Sequence, residues 1–367
     1  MNFIIRKITG FKKSPLLMLL SLIGMACSPY KGPVDKSIST SYYYSKKKGM
    51  ICYSWMGNWF ELGSIHFKAD IESFEVLAEY YAKDKNHSYY KSENIDHEVD
   101  HASFRADYLF CYDKNNVYVP LKYVSDNYLD EAEKGHFLKP IKGANPTTFE
   151  DMDDGWSKDD KYIFYRYNPT ELDRNSFEII NKAFVKDKDK VFALEFDKMI
   201  PTNIDVLSVK KLNERYVFDS ENVYDYQEYI DGEKVGSLLT IPYSNPKNIY
   251  IKEEKYLFVE ERVFYDDTEL VGVHSATFKI DTKDNMYALD KNKVYYFGEE
   301  IAQADPKSFT ILDYWIYAKD SKRVFYEGKE IKGADVETFG PVENDKTSFP
   351  MHKDKNHIYK NGEVFTE

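Results

Sequence analysis

The chain has 367 residues, with 62 acidic against 50 basic side chains and a formal charge of −12. A surface this acidic argues against duplex nucleic acid and anionic lipid headgroups as partners. Hydrophobic residues make up 43% and aromatics 16%, with 32 tyrosines, enough for one large core or an extended array.

In chain order, the first element is a targeting segment. Arg6, Lys7, Lys12 and Lys13 form a positive start, and Pro15 to Met25 is apolar but far shorter than the ~20 residues a membrane helix needs. Residues 1–26 are therefore expected to be a signal peptide. The junction Gly24-Met25-Ala26-Cys27-Ser28 resembles a bacterial lipoprotein signal, whose cleavage leaves a lipidated first cysteine, here Cys27. Gly24 stands where such signals usually carry Leu, and Gly24-x-Ala26 also suits an ordinary signal peptidase. A secreted or periplasmic protein is thus the alternative to a lipid-anchored one in the outer membrane or at the cell surface. Loss of residues 1–26 removes four positive charges and moves the formal charge from −12 to −16. Residues 27–50 show no apolar periodicity and are expected to be a lipid-anchored flexible tether. The remaining 51–367 form the repeat domain.

From residue 70 onward one pattern recurs nine times. An apolar slot falls at Phe74, Phe104, Phe149, Phe177, Leu207, Ile249, Phe278, Phe309 and Phe339. Most gaps are near 30 residues, and the two long ones place insertions near 119–139 and 226–243. A second half opens with Asp84, Asp113, Asp159, Asp187, Asp219, Asp290, Asp320 and Asp354, and the copy near Val259 lacks it. Asp305-Pro306 and Asn145-Pro146 read as an N-cap followed by Pro at the first helical position, which predicts one short helical turn. The Asp-Lys-Asn segments supply turn chemistry, and Asn361-Gly362 or Glu327-Gly328 a second tight turn. One copy therefore reads as two or three short antiparallel strands plus a helical turn. The fold class is all-β with short helical turns, a tandem array of about nine hairpin repeats of ~30 residues. Propeller-like closure is the alternative, although blades need ~40 residues or more.

The segments Asp113-Lys114-Asn115-Asn116-Val117-Tyr118, Asp290-Lys291-Asn292-Lys293-Val294-Tyr295-Tyr296 and Asp354-Lys355-Asn356-His357-Ile358-Tyr359 resemble the DKNYY repeat family. The resemblance spans roughly residues 60–365 and implies a bacterial protein without an assigned activity.

His97-Glu98-Val99-Asp100-His101 matches the HExxH string of zinc proteases, which needs both imidazoles on one helical face and Glu98 as base. The repeat register opposes this, because it makes Asp100 the cap of a turn that starts after it. His97 then precedes the turn and His101 lies within it, so no metal and no catalysis are expected. The Asp-Lys-Asn turns lack the acidic density of calcium loops. Cys52 and Cys111 could form a disulfide outside the cytoplasm or stay buried as two thiols.

The expected function is a non-catalytic, envelope-anchored repeat lipoprotein without a cofactor that presents a surface to a protein partner. Carbohydrate binding through exposed aromatics is the alternative, and zinc-dependent hydrolysis a distant third. Tyrosines converging in one groove would favour sugar, a smooth repeated face a protein, and His97 pointing with His101 zinc.

Overall fold

The computed structural model describes residues 28–124, 135–152, 154–196, 198–227, 236–281, 286–312, 316–342 and 351–366. The expected signal peptide and Cys27 lie outside them. Among the described residues the chain forms ten four-stranded antiparallel sheets, each an open meander whose strands pair in sequence order. Sheets 1 to 4 span 30–68, 75–94, 105–140 and 150–169 and belong to one compact unit. Sheets 5 to 10 span 178–201, 210–242, 249–269, 279–300, 310–330 and 340–364 and belong to a second, which begins at Ser176. No described helix is long and apolar enough to cross a membrane.

Two expectations need correction. Each copy has four strands rather than two or three, because residues after the second tight turn add a short edge strand such as Glu299–Glu300. The expected tether is not a tether over most of its length. Tyr30–Pro33 and Tyr42–Ser45 are strands of sheet 1, paired with Met50–Tyr53 and Ile65–Lys68. What orders them is burial of Tyr42, fully shielded from solvent, which packs against Phe74 and donates its hydroxyl to the Tyr80 carbonyl at 2.8 Å.

Within each unit the sheets bury apolar faces on their neighbours, as repeats must. Tyr42, Ile51 and Tyr53 of sheet 1 pack with Phe74, Val76 and Tyr89 of the next copy. Tyr317 and Val324 of sheet 9 pack with Phe339 and Tyr359. The recurring tyrosines also tie copies together, as when Tyr81 donates to the Leu109 carbonyl at 3.0 Å and Tyr287 to that of Ile316 at 3.2 Å. One assigned slot was misplaced. Leu207 is 91% exposed, and Val209, four residues after the capping Asp205, fills the core instead.

The aspartate opening each second half is the hub of its copy, and all eight are buried. Asp113 Oδ1 accepts the N–H groups of Asn115 (2.7 Å) and Asn116 (2.8 Å). Its Oδ2 accepts the Asp100 N–H (2.9 Å) and the Tyr118 hydroxyl (2.8 Å). The same four bonds recur around Asp84, Asp219 and Asp354. Burial alone would raise the Asp354 pKa, but the N–H groups of Asp335 and Asn356 and the Tyr359 hydroxyl outweigh it and hold it down at about 2. Asp100 in turn accepts the Ser103 hydroxyl (2.6 Å) and N–H (3.1 Å), and Ser103 Oγ accepts the Lys114 N–H (2.9 Å). The copy near Val259 keeps a clamp by other means. Glu260 Oε1 accepts the N–H groups of Ser244 (2.7 Å) and Asn245 (3.0 Å), its longer side chain reaching from one position later.

The second tight turn explains its glycine. Gly298, Gly328 and Gly362 hold φ of 78°, 73° and 78°, which L side chains rarely adopt. A Cβ on each would also strike a tyrosine side chain of the preceding copy, at 2.6 Å from Tyr265, 2.9 Å from Tyr296 and 2.7 Å from Tyr326.

Candidate functional site

The HExxH string does not assemble as a zinc site. Asp100 caps a 3-10 turn at His101–Ser103, as the repeat register requires. His101 Nδ1 lies 2.9 Å from the Ser88 hydroxyl, while His97 stays exposed with Nε2 3.3 Å from Glu98 Oε1. The third member of the local group is instead His136, whose Nδ1 is 3.8 Å from Glu98 Oε2. One ligand atom from each of His97, Glu98 and His136 lies within 4.8 Å of the others. Sequence reasoning missed His136 because it sits in the insertion near 119–139, outside the repeat period. Only its residue type was a signal.

The two candidate disulfide cysteines are free and buried. Cys52 lies in sheet 1 and Cys111 in sheet 3, so the pairing is not formed and the two-thiol alternative holds. Burial pushes both thiols above their ordinary pKa, which leaves them poor nucleophiles. The Asp-Lys-Asn aspartates have no lone pair left for calcium, since each carboxylate oxygen of Asp84 and Asp113 already accepts two hydrogen bonds.

The strongest candidate for binding lies where the repeat is interrupted. Between the third and fourth strands of sheet 1, residues 54–64 form a 3-10 turn at Trp55–Gly57 and one helical turn at Trp59–Leu62. Asn58 caps the latter by accepting the Glu61 N–H at 3.2 Å. In sheet 3, the insertion begins with a 3-10 turn at Leu121–Tyr123. Lys122 Nζ stands over three rings, 5.1 Å from the centroid of Trp55, 4.7 Å from Tyr80 and 4.2 Å from Tyr123. The insertion of one sheet thereby meets that of another. Beside this contact is a cleft of about 290 Å³ whose lining includes Tyr53, Trp55, Leu62, Tyr90, Lys91 and Phe137.

A model of the DKNYY family matches residues 5–122, 107–227, 184–317 and 311–363. The chain belongs to the DKNYY family. No curated protein and no solved structure matches it.

In this DKNYY protein the motif aspartates are spent on the fold, and the cleft keeps a polar group without a partner. The Tyr90 hydroxyl is buried and has no hydrogen-bond partner among the described residues. Lys91 holds a left-handed φ of 57° at the turn between Ser88–Tyr90 and Glu93–Asn94, with its ammonium 5.3 Å from the ring centroids of both Trp55 and Tyr90. Burial, and then the Lys122 charge, push Lys91 below its ordinary pKa, so an incoming anion relieves the strain between two cations. Around the cleft Met56 is 68%, Phe60 83%, Leu62 58% and Ile65 54% exposed. Large apolar side chains left in water beside a concave site mark a contact surface.

Proposed function

We propose that this DKNYY protein is a non-catalytic, envelope-anchored lipoprotein whose aromatic cleft binds a partner protein. The segment recognised would carry an apolar side chain next to a carboxylate. The observation that carries this reading is the union of exposed Met56, Phe60, Leu62 and Ile65 with the lysine pair Lys91 and Lys122 on an otherwise acidic chain. The apolar rim suits an apolar anchor, the two ammonium groups suit an acid, and the free Tyr90 hydroxyl suits an oxygen acceptor. Anchoring at the envelope through Cys27 rests on the charged start, the short apolar stretch and the Ala26-Cys27 junction. Labelling with a fatty-acid analogue should tag the wild type and not Cys27→Ser.

Carbohydrate binding is the second reading, favoured by one observation. Tyr53, Tyr80, Tyr90 and Tyr123 gather at this one place. Against it, Trp55 and Tyr80 meet edge to face and offer no flat stacking platform. Selection of a random peptide library on the wild type, counter-selected on Trp55→Ala, separates the two. Enriched peptides pairing an aromatic or aliphatic residue with Asp or Glu, weakened tenfold or more by Lys91→Glu, support the protein reading. No enrichment, with Trp55-dependent signals on a glycan array, replaces it with carbohydrate.

A further inference from the structure

We propose that His97, Glu98 and His136 form a binding site for one divalent metal ion of the zinc class, distinct from the HExxH geometry the sequence suggests. The donor set is two imidazoles and one carboxylate, Nε2 of His97, Nδ1 of His136 and an oxygen of Glu98. A tetrahedral ion with ligands at ~2.0–2.2 Å holds neighbouring ligand atoms about 3.3 Å apart. Here His97 Nε2 already stands 3.3 Å from Glu98 Oε1, and His136 Nδ1 3.8 Å from Glu98 Oε2. The imidazole centroids are 5.9 Å apart with their planes at 38°. The three ligand atoms lie within 4.8 Å of one another, and both rings are exposed and free to turn inward.

The carboxylate supplies the second, independent reason. The Glu98 side chain is only 3% exposed, and among the described residues the cationic groups within 4.0 Å of it are these two imidazoles, with neither Lys nor Arg. A buried carboxylate calls for a positive charge. Its position is also fixed in advance, since Oε1 accepts the Phe137 N–H at 3.0 Å and Oε2 the Leu138 N–H at 2.8 Å. Hydrogen-bonded carboxylates of this kind make oriented ligands. The bound ion takes a solvent molecule in its fourth place, and Glu98, being a ligand, does not act as the base that the HExxH string assigns to it. Its effect is to fasten the loop carrying His97 and Glu98 to the segment leading into Leu138–Pro140, next to Phe137 of the cleft.

The test uses the full, tag-free chain stripped with a chelator and titrated calorimetrically with Zn²⁺ alone, then with Co²⁺ to read the visible absorption of the bound ion. The expected result is one ion per chain, with affinity lowered tenfold or more in His97→Ala and in His136→Ala and unchanged in His101→Ala. The two exposed histidines can be removed without disturbing the core, and thermal melts without metal check that these variants fold as the wild type does. Absence of saturable one-to-one binding overturns the proposal. So does binding that survives His136→Ala, or binding that His101→Ala abolishes.

Discussion

The copies around sheets 8 to 10 and the region from Trp55 to Phe137 are built from similar residues and treat them in opposite ways. In the regular copies the recurring polar groups are turned inward. Asp290, Asp320 and Asp354 collect backbone N–H groups, and Ser308 or Thr338 bridges a cap to a turn. In the interrupted region a lysine pair and four large apolar side chains are left over. Regularity here is a sign of structural use, and departure from the period is where binding capacity accumulates.

The comparison can be broken most forcefully with acid. Asp84, Asp113, Asp219 and Asp354 all have pKa values below the ordinary range because the N–H bonds that they accept together outweigh burial. A carboxylate whose folded pKa lies below its unfolded value of ~3.9 contributes stability above that value, and loses it as pH falls through the folded value. With Asp354 at about 2, denaturant midpoints should hold from pH 7 to about 4 and collapse between 4 and 2. A midpoint that falls evenly from pH 7 would show that the clamps are not what acid attacks.

Single substitutions sharpen the contrast in descending order. Phe339, 3% exposed between sheets 9 and 10, should cost ~3–5 kcal/mol as Phe339→Ala in urea unfolding. Asp113→Ala strands three backbone N–H groups and a tyrosine hydroxyl, and should cost about 3 kcal/mol. Gly328→Ala, with φ of 73° and a Cβ 2.9 Å from Tyr296, should cost ~1–3 kcal/mol. Phe60→Ala, 83% exposed in the interrupted region, should stay within about half a kcal/mol while removing part of the binding rim. Equal losses for Phe60→Ala and Phe339→Ala would erase the distinction between the two regions.

Much of the fold was legible because the period repeats one set of local interactions. The Asp-Lys-Asn turns, the cap at Asp100 and the glycine turns each depend on residues a few positions apart, and each is where the spacing put it. What escaped depends on partners far along the chain. Tyr30–Pro33 and Tyr42–Ser45 are strands through packing on the next copy, not through alternation of their own. Glu260 replaces an aspartate from a shifted position, and Val209 replaces Leu207 in the core, because the geometry conserves an atom's place rather than a letter's. Of the candidate site, the spacing located the insertion but not Lys122 in its ring of aromatics, nor His136 beside Glu98. Both are contacts across sheets.

The stacking of each glycine turn on the tyrosine before it gives the array a head and a tail. Tyr265 lies under Gly298, Tyr296 under Gly328 and Tyr326 under Gly362, always the later copy covering the earlier. Cutting the chain ahead of a copy therefore bares a small glycine turn, whereas cutting behind it strips the cover from an aromatic ring. At this contact, shortening from the carboxyl end uncovers a tyrosine ring at every step, and shortening from the amino end within sheets 7 to 10 uncovers a glycine turn.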